Sequence, residues 1–514
     1  MIDKWLNKID RLNQNNLFWW IVATSILLAA WMQYIQHGWI NPDSVLYFEQ
    51  ARLFSLGDWT AGFNIFEWPL YGACIGFLHK LTSLPIQTSA QLLNMLFFGI
   101  ATASFLQLIK LAGGNSRTLF AGALLLFSSQ YIVGDVLEML MRDEGFWAFY
   151  LTALVFFIRY IQGGKLSDAL YWQLCIIVAT LFRIEAILFL MLLPLTCLLV
   201  ESPTLKYKFQ NLLYTYSISI IIAIVITITL LTQPQLSLSQ FGRLNEVFTS
   251  NLYQEFTQKL LTQADIMSNQ VLGKYLEEFA IPGLLLTFLC VMGSKIITAT
   301  GLIGTSLAML GLRRSPIKIH PKVKLVLAAA SIIALISMAL IIIKVFVLSS
   351  RYVVELAWLL LIFASFYLTS LSLNTNKKPR IIFLILCLVL SLGVIKNVLP
   401  KRDGYNYQQD AVRWVKVYNK GNKPVFYDDS RMIYYAKSKF SRKWDDNWKV
   451  ALSAINQKTL TKNKFLLLSH SKKHMNRLTF IRNKLPGYKE IKRFNNYRAK
   501  KFIVIYQKTL PIDD

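Results

Sequence analysis

Ionisable side chains at the ends of long apolar runs are the part of this sequence that could do chemistry. They are Asp43, Arg142, Asp143, Glu144, Arg183, Glu185, Lys344 and Arg351, with Tyr352 beside the last of them. Charged groups at membrane depth are costly, and their default interpretation is functional. Carboxylates can act as general bases, and arginine binds phosphate oxygens through two hydrogen bonds at once. The set therefore predicts a site for acid–base and phosphate chemistry.

The elements that must position these residues are membrane spans. The chain is 54% hydrophobic and only 16% charged, with a mean hydropathy of +0.42. Apolar runs long enough to cross about 30 Å of hydrocarbon recur through the first 400 residues. We expect eleven spans, at 17–36, 87–110, 117–135, 144–162, 166–182, 184–200, 210–232, 282–311, 323–346, 352–372 and 380–399. The eighth is long enough to be tilted, or broken at Gly293 or Gly301.

Basic residues in the short loops predict the orientation of these spans. With the N-terminus in the cytoplasm, every basic cluster falls on the cytoplasmic side, as the positive-inside rule requires. The residues are Lys4, Lys8, Arg11, Lys110, Arg117, Arg159, Lys165, Lys206, Lys208, Arg313, Arg314, Lys318, Lys322, Lys324, Lys377, Lys378 and Arg380. The segments that contain Asp43, Asp143, Arg183 and Arg351 then share the outer face. We expect a multi-pass protein of a bacterial inner membrane with an extracytoplasmic C-terminus.

The last part of the chain has a different composition. We expect residues 1–400 to form the membrane domain and residues 401–514 a second domain, which has 27 lysines and arginines against nine acidic residues. Helical patterns at 409–418, 448–455 and 472–484 alternate with apolar strands at 425–427, 465–468 and 502–506, which predicts a small α/β domain. Its basic surface suits anionic lipid head groups or phosphorylated glycans, or is simply solvated. No nucleic-acid recognition motif is present, so we expect no nucleic-acid partner.

The segment after the first span begins with Asp43. Apolar residues at helical spacing predict a helix lying in the membrane interface, which ends at Gly57-Asp58-Trp59. A second short apolar helix opens at Glu67-Trp68-Pro69-Leu70-Tyr71. One interpretation of Asp43 is structural, because Asn-Pro-Asp-Ser is a good helix start and Asp43 could be its N-cap. The functional hypothesis is a general base at the membrane surface.

The other charged residues also have structural alternatives. Acidic residues at 143 and 144 suit the positive end of a helix dipole, and Arg142 could extend its charge to the interface. Arg351 and Glu355 are four apart and could form an intrahelical ion pair, while Lys344 and Tyr352 could be interfacial anchors. Arg183 and Glu185 are two apart. On a helix they would face different ways and could not neutralise each other, which favours a functional role.

Several kinds of site are not indicated. There is no P-loop and no GxGxxG motif, which argues against an enzyme driven by ATP or a dinucleotide. The five cysteines show no C-x-x-C spacing and are typical of small buried hydrophobes. His470 and His474 have a metal-ligand spacing, but Lys472 and Lys473 between them would repel a cation. We expect no metal and no cofactor.

The motifs together resemble a family of membrane enzymes. The pattern Asp43-(x)3-Tyr47-(x)3-Ala51, followed by Gly57-Asp58-Trp59 and Pro69-x-Tyr71, looks like the GT-C-fold glycosyltransferases. The chain is most similar to the superfamily of protein O-mannosyltransferases and lipid A aminoarabinose transferases (glycosyltransferase family 39). Arg142-Asp143-Glu144 resembles its second acidic motif, and Arg183-x-Glu185 and Ser350-Arg351-Tyr352 resemble its later arginine motifs. The likeness covers roughly residues 15–400.

Two positions depart from the family pattern. Many members have Asp-Glu where this chain has Asp43-Ser44. The aminoarabinose transferases also have a Lys-Pro-Pro segment where this chain reads Glu67-Trp68-Pro69-Leu70. The superfamily resemblance survives both departures, but modification of lipopolysaccharide with aminoarabinose is put in question.

The resemblance implies an α-helical polytopic fold with interfacial helices in the first outer loop, and a polyprenyl-phosphate-linked sugar donor. The acceptor would be a lipid, glycan or protein, with membrane lipids around the site. Asp43 would be the base of an inverting transfer, and Asp143 a second catalytic residue that orients the phosphate-binding groups or contacts the sugar. Arg351, Arg183 and Lys344 would bind the donor phosphate. The remaining expected contacts to substrate, or to these groups, are Arg142, Glu144, Glu185, Tyr352 and Tyr47.

Two other classes of function stay open. An oligosaccharide ligase or polymerase would need a large outer loop with its own arginine and histidine, whereas residues 233–280 contain Arg243 and no histidine. A non-enzymatic transporter of lipid-linked glycans would place polar groups near the bilayer midplane and show internal repeats. Here the charged residues cluster at the ends of the spans.

Overall fold

Residues 12–200, 204–232, 251–273, 275–314, 317–400, 402–438, 440 and 446–509 are described by a computed structural model. Lys4, Lys8, Arg11 and Arg243 lie outside these residues. The described chain divides into two compact units. The first lies within Met1–Ala30, Leu92–Leu137 and Arg142–Val398, and the second within Trp31–Gln91, Glu138–Met141 and Leu399–Asp514.

Most of the described chain up to residue 398 is helical. Within the described residues, eight helices are long and apolar enough to cross a membrane: Gln14–Ile35, Ile86–Leu111, Asp143–Gly163, Leu205–Thr229, Glu277–Thr300, Pro321–Val345, Ser350–Leu373 and Lys377–Val398. A bent pair, Ser116–Ser128 and Gln130–Val136, meets at 48° and could form a ninth crossing. Shorter apolar helices occupy Leu166–Phe182, Ala186–Leu198 and Leu302–Arg313. Of the alternatives for the eighth span, the structure has the break at Gly301, where the helix Ala280–Thr300 ends with a φ of 80°.

The core of the first unit is the helix Val354–Leu373, which is buried on nearly every side. It packs against Ser116–Ser128 and Leu302–Arg314. Gly311 makes the closest approach, because a Cβ there would collide with the carbonyl oxygen of Phe363. By contrast, only 6% of the most apolar stretch of Leu205–Thr229 is buried within the protein. A helix apolar all round and exposed in this way suits a lipid environment.

The second unit begins with three short helices, Pro42–Ser55, Trp59–Ile65 and Leu70–Thr82. The first and third agree with the helices expected in this loop, and Trp59–Ile65 was not expected. Pro42–Ser55 packs on Leu70–Thr82. The contact is close because a Cβ on Gly76 would lie 2.7 Å from the carbonyl oxygen of Ala51. These helices are therefore fixed against each other rather than separate.

The rest of the second unit is the predicted small α/β domain. Four strands, β1 (Val425–Tyr427), β2 (Phe465–Ser471), β3 (Tyr488–Asn495) and β4 (Lys501–Lys508), form a sheet in the order β1-β2-β4-β3. β1 and β2 are parallel, and the other neighbours are antiparallel. The helices are Tyr407–Tyr418, Ser430–Ala436, Asn447–Asn456 and Asn476–Lys484. They pack on the buried residues of β2 and β4, and helices and strands together form the domain's core.

Candidate functional site

Arg183 is the centre of a group of charged residues in the first unit. Its side chain is 2% exposed. Nη1 donates a hydrogen bond to a carboxylate oxygen of Asp143 and another, at 3.3 Å, to the backbone carbonyl oxygen of Arg351. Nε and Nη2 donate to the two oxygens of Glu185 at 3.4 and 3.3 Å. One guanidinium therefore joins three segments that are far apart in the sequence.

The backbone at Arg183 explains why it can pair with Glu185. The helix Leu166–Phe182 ends at Arg183, whose φ of −148° and ψ of 127° are extended, and the next helix begins at Ala186. The expectation that Arg183 and Glu185 cannot neutralise each other is therefore wrong, because it assumed helical geometry. Their pairing gives this motif a structural role as well as a possible functional one.

Aromatic rings enclose the same guanidinium. The Cζ atom of Arg183 lies 5.3 Å from the ring centre of Phe146 and 4.6 Å from that of Tyr352. The guanidinium of Arg351 lies 5.3 Å from the ring of Tyr352. Both distances for Tyr352 are within the range of cation–π attraction. Tyr352 thus makes a cation–π contact with both arginines.

Further acidic side chains are buried in this unit. Glu144 and Glu355 are both 0% exposed, and Glu144 follows Asp143 at the start of the helix Asp143–Gly163. Neither carboxylate oxygen of Glu355 has a hydrogen-bond partner within the described part of the chain. A hydrogen-bonded pair of Glu355 with Arg351 is therefore not formed. Glu355 is instead close enough to Arg183 for their charges to interact. Buried polar groups of this kind call for an explanation in terms of function or strain.

Tyr131 is a neighbour of the group that sequence reasoning did not find. It lies in the π-helical turn Gln130–Val136, where the charges of Asp143, Arg183 and Arg351 reach its hydroxyl. π-Helical turns often occur at functional sites. The polar residues Gln130 and Asp135 inside an apolar run were the sequence signal that could have pointed to this turn.

The remaining expected residues of the first unit occupy helix ends. Arg142 precedes the first turn of Asp143–Gly163 and is close enough to Glu185 for their charges to interact. Lys344 is in the last turn of Pro321–Val345, where a cation suits the helix dipole. The carbonyl oxygen of Lys344 accepts a hydrogen bond from Lys259 at 3.2 Å. A part for either residue in substrate binding stays a prediction.

Asp43 belongs to the second unit. The helix Pro42–Ser55 is capped by Asn41, whose side-chain oxygen accepts a hydrogen bond from the backbone nitrogen of Asp43 at 2.9 Å. The structural alternative, in which Asp43 is the N-cap, is therefore wrong. Asp43 still lies in the first turn, where a carboxylate is favoured by the helix dipole. Its proposed role as a base does not conflict with a capping role.

Tyr47, also in the second unit, is 4% exposed. Its ring packs edge-on against Phe66 and Tyr71, with ring centres 5.6 and 5.1 Å away. Packing of this kind explains an aromatic residue at this position without a substrate. Its predicted contact with substrate therefore needs an experiment.

Among the described residues, no group of three or more histidine, cysteine, aspartate or glutamate side chains is arranged to hold a metal ion. Asp143 and Glu185 both bind Arg183. The arrangement can therefore neutralise and orient Arg183, and it places the Arg351 guanidinium beside Tyr352.

Comparison with solved structures confirms the GT-C fold. ArnT from Cupriavidus metallidurans, in a crystal structure bound to undecaprenyl phosphate, superimposes with a TM-score of 0.51 at 14% sequence identity, covering 94% of this chain and 97% of that one. Arabinofuranosyltransferase AftD from mycobacteria gives a TM-score of 0.47 at 12% identity, covering 98% of this chain and 40% of AftD. No protein-family model matches the chain, and no curated protein matches its sequence. The chain is a multi-span membrane protein with this fold.

Proposed function

We propose that this protein is a membrane glycosyltransferase that moves a sugar from a polyprenyl-phosphate donor to a lipid, glycan or protein acceptor on the outer face of the membrane. The observation that carries the proposal is the arginine and carboxylate group around Arg183, on a fold shared with ArnT. The ArnT structure is a complex with undecaprenyl phosphate, which supports a lipid-linked donor. Cell-envelope glycans are the acceptor class that such a location favours.

The donor phosphate needs a cation. In the proposal Arg351 binds it, assisted by Lys344, because a guanidinium matches the oxygens of a phosphate in two hydrogen bonds. Arg183 is committed to Asp143 and Glu185, so its part in the phosphate site is to hold the backbone of Arg351 in place. Asp143 and Glu185 in turn fix Arg183. In this proposal Asp143 and Glu185 position the arginines and take no part in the chemical step.

The chemical step needs a base at the acceptor. Asp43 takes the proton of the acceptor hydroxyl or amine, whose oxygen or nitrogen attacks the anomeric carbon. The bond between that carbon and the phosphate oxygen breaks, and the phosphate leaves with the bonding electrons, stabilised by Arg351. Attack opposite to the leaving group inverts the anomeric configuration. The role of Asp43 rests on the sequence argument.

The test is transfer of labelled sugar from polyprenyl-phosphate-linked hexoses and pentoses, measured in membranes that contain the full chain. Removing the base in Asp43→Asn should reduce the rate by about 10²- to 10⁴-fold. Arg351→Ala should reduce it by about 10²-fold or more, by loss of charge stabilisation at the leaving group. Glu67→Gln and Arg313→Ala are matched controls, because both side chains are exposed.

Three results would contradict the proposal. Transfer at the wild-type rate by well-folded Asp43→Asn would show that Asp43 is not the base. A normal rate in Arg351→Ala would show that Arg351 does not stabilise the leaving phosphate. Transport of intact lipid-linked sugar without cleavage of the donor would favour a transporter. Extension or block transfer of a preassembled glycan would favour a ligase or polymerase.

A further inference from the structure

A pocket of about 410 Å³ opens where the parallel strands β1 and β2 end, in the second unit. Ligands of α/β folds commonly bind beyond the carboxyl ends of parallel strands, since the chain leaves the sheet there in loops. β1 is followed by Asp428 and Asp429, and β2 ends with Ser469, His470 and Ser471. The volume falls within the usual range for a small-molecule site.

The floor of the pocket is a closed hydrogen-bond network around Asp429. Its carboxylate accepts hydrogen bonds from Nε and Nη2 of Arg431 at 3.1 and 2.8 Å, from Gln408 at 2.7 Å and from Asn447 at 3.0 Å. Burial of this carboxyl opposes its ionisation, but the charge and hydrogen bonds of Arg431 outweigh that and hold its pKa below the ordinary value. Asp428 similarly binds Ser469. These aspartates are therefore a rigid frame and not free ligands.

His470 lines the same pocket. It is 5% exposed, and neither ring nitrogen has a hydrogen-bond partner among the residues described. Phe502 stacks on the ring with centres 5.6 Å apart, and Tyr506 meets it edge-on at 6.4 Å. Burial and the charges of Arg493 and Arg477 lower the pKa of His470 to about 4. At neutral pH the ring therefore offers one donor and one acceptor, which together suit a hydroxyl group.

Two cations at the pocket rim have no carboxylate partner in the described part of the chain, namely Arg477 and Lys501. The Arg477 guanidinium lies 4.7 Å from the ring centre of Trp448, which holds it in place. The rim also contains Asp446, but its carboxylate caps the helix Asn447–Asn456 by accepting from the backbone nitrogens of Trp448 and Lys449. With Arg431 and Asp429 paired, the lining has a net positive charge.

We propose that this pocket binds a saccharide that carries an oxyanion, such as a sugar phosphate or a uronic acid. Arg477 and Lys501 bind the oxyanion, and His470 exchanges hydrogen bonds with a ring hydroxyl. A bare anion would leave His470 unsatisfied, and a neutral sugar would leave the two cations unused. Pro42, next to the proposed base Asp43, also lines the pocket, but binding is measured without a lipid donor, so either proposal can fail without the other.

The test is isothermal titration of the purified full chain in detergent with glucose 6-phosphate, glucuronate, glucose and inorganic phosphate. The two anionic sugars should bind at least tenfold more tightly than glucose or phosphate. Arg477→Ala and Lys501→Ala should each weaken them at least tenfold. His470→Phe, which keeps the stacking on Phe502, should weaken the sugars and leave phosphate binding unchanged. Arg482→Ala and Lys500→Ala remove exposed cations elsewhere and should change nothing.

Absence of saturable binding of both anionic sugars to folded wild-type protein would overturn the proposal. If inorganic phosphate bound as tightly as the two anionic sugars, the assignment of a saccharide ligand would be overturned. Unchanged binding of the anionic sugars in Lys501→Ala and Arg477→Ala would also overturn the proposal. Thermal unfolding of each variant verifies that the variant is folded. Because the readout is binding without a lipid donor, loss of glycosyl transfer cannot be mistaken for loss of this site.

Discussion

Arg183 donates a hydrogen bond to the backbone carbonyl oxygen of Arg351 over 3.3 Å and a separation of 168 residues. The same nitrogen also binds Asp143. The position of one arginine backbone is therefore set by the side chain of another, which is itself set by two carboxylates. A change at any of these residues should reach Arg351 even where Arg351 is unaltered.

Replacing Arg183 should be strongly destabilising. Arg183→Ala leaves Asp143 and Glu185 without their cation, and breaking a buried ion pair in this way costs about 3 to 5 kcal/mol. Thermal or denaturant unfolding in detergent measures the loss. The control is Arg52→Ala, whose partner is Glu49 and whose side chain is 47% exposed, so it should cost less than about 1 kcal/mol. Equal losses in the two variants would contradict the central role of Arg183.

Two acids near Arg183 should respond oppositely to removal of their charge. Asp143→Leu deprives Arg183 of a bonded partner and should lower the free energy of unfolding by about 3 kcal/mol. Glu355→Met removes two buried oxygens without hydrogen-bond partners and should be neutral or raise it by about 1 kcal/mol. The comparison uses unfolding in detergent at one pH. A larger loss in Glu355→Met than in Asp143→Leu would show that Glu355 is the better-paired acid.

Because Asn41 caps the helix Pro42–Ser55, variants of Asn41 and Asp43 can distinguish an effect on stability from an effect on activity. Asn41→Ala should lower stability by about 1 kcal/mol, because the backbone nitrogen of Asp43 loses its acceptor. Asp43→Asn keeps the cap and should change stability by less than that, while transfer falls. Thermal unfolding and the transfer assay on both variants provide the measurement. A stability loss in Asp43→Asn larger than in Asn41→Ala would mean that its effect on activity is structural.

Acid should lower the stability of the C-terminal domain because His470 must then take up a proton. Its folded pKa of about 4 lies below the ordinary 6.5, so the unfolded chain binds the proton more tightly and stability falls as pH drops from 6.5 towards 4. The loss is about 1.4 kcal/mol per pH unit in that window. His470→Phe should remove this part of the pH dependence, measured by thermal unfolding of the full chain at pH 7.5 and 5. His474→Phe, at an exposed position, should keep it.

The helices of this protein were accessible from the sequence because apolar length alone locates them. Each of the eleven expected segments coincides with helical structure, but in the described chain eight helices, or nine if the bent pair is one crossing, are long and apolar enough to span a membrane. β3 was missed because it lies at the edge of the sheet, with charged residues such as Lys489, Lys492 and Arg493 in place of an apolar run. Sequence patterns report burial, and an exposed edge strand has little of it.

The charged residues were found, but not their partners. Arg183 and Asp143 were both expected at the site, yet their bond depends on the packing of two helix ends, which no local spacing reveals. The pocket at His470 was missed for a similar reason. It depends on the parallel pairing of β1 with β2, which brings Asp429 beside Ser469 and His470 across about 40 residues of chain. Contacts between residues that are distant in the sequence cannot be predicted from the spacing of apolar residues or from a short motif.

The spacing of the partners of Arg183 also sets the order in which they leave the ribosome. Asp143 precedes Arg183 by 40 residues, whereas Arg351 follows it by 168. At a ribosomal rate of roughly 5 to 20 residues per second, the carbonyl of Arg351 emerges roughly 8 to 34 seconds after Arg183. The acids and Arg183 can therefore neutralise each other in the nascent chain first. The segment proposed to bind the donor phosphate then docks on a guanidinium that is already in place.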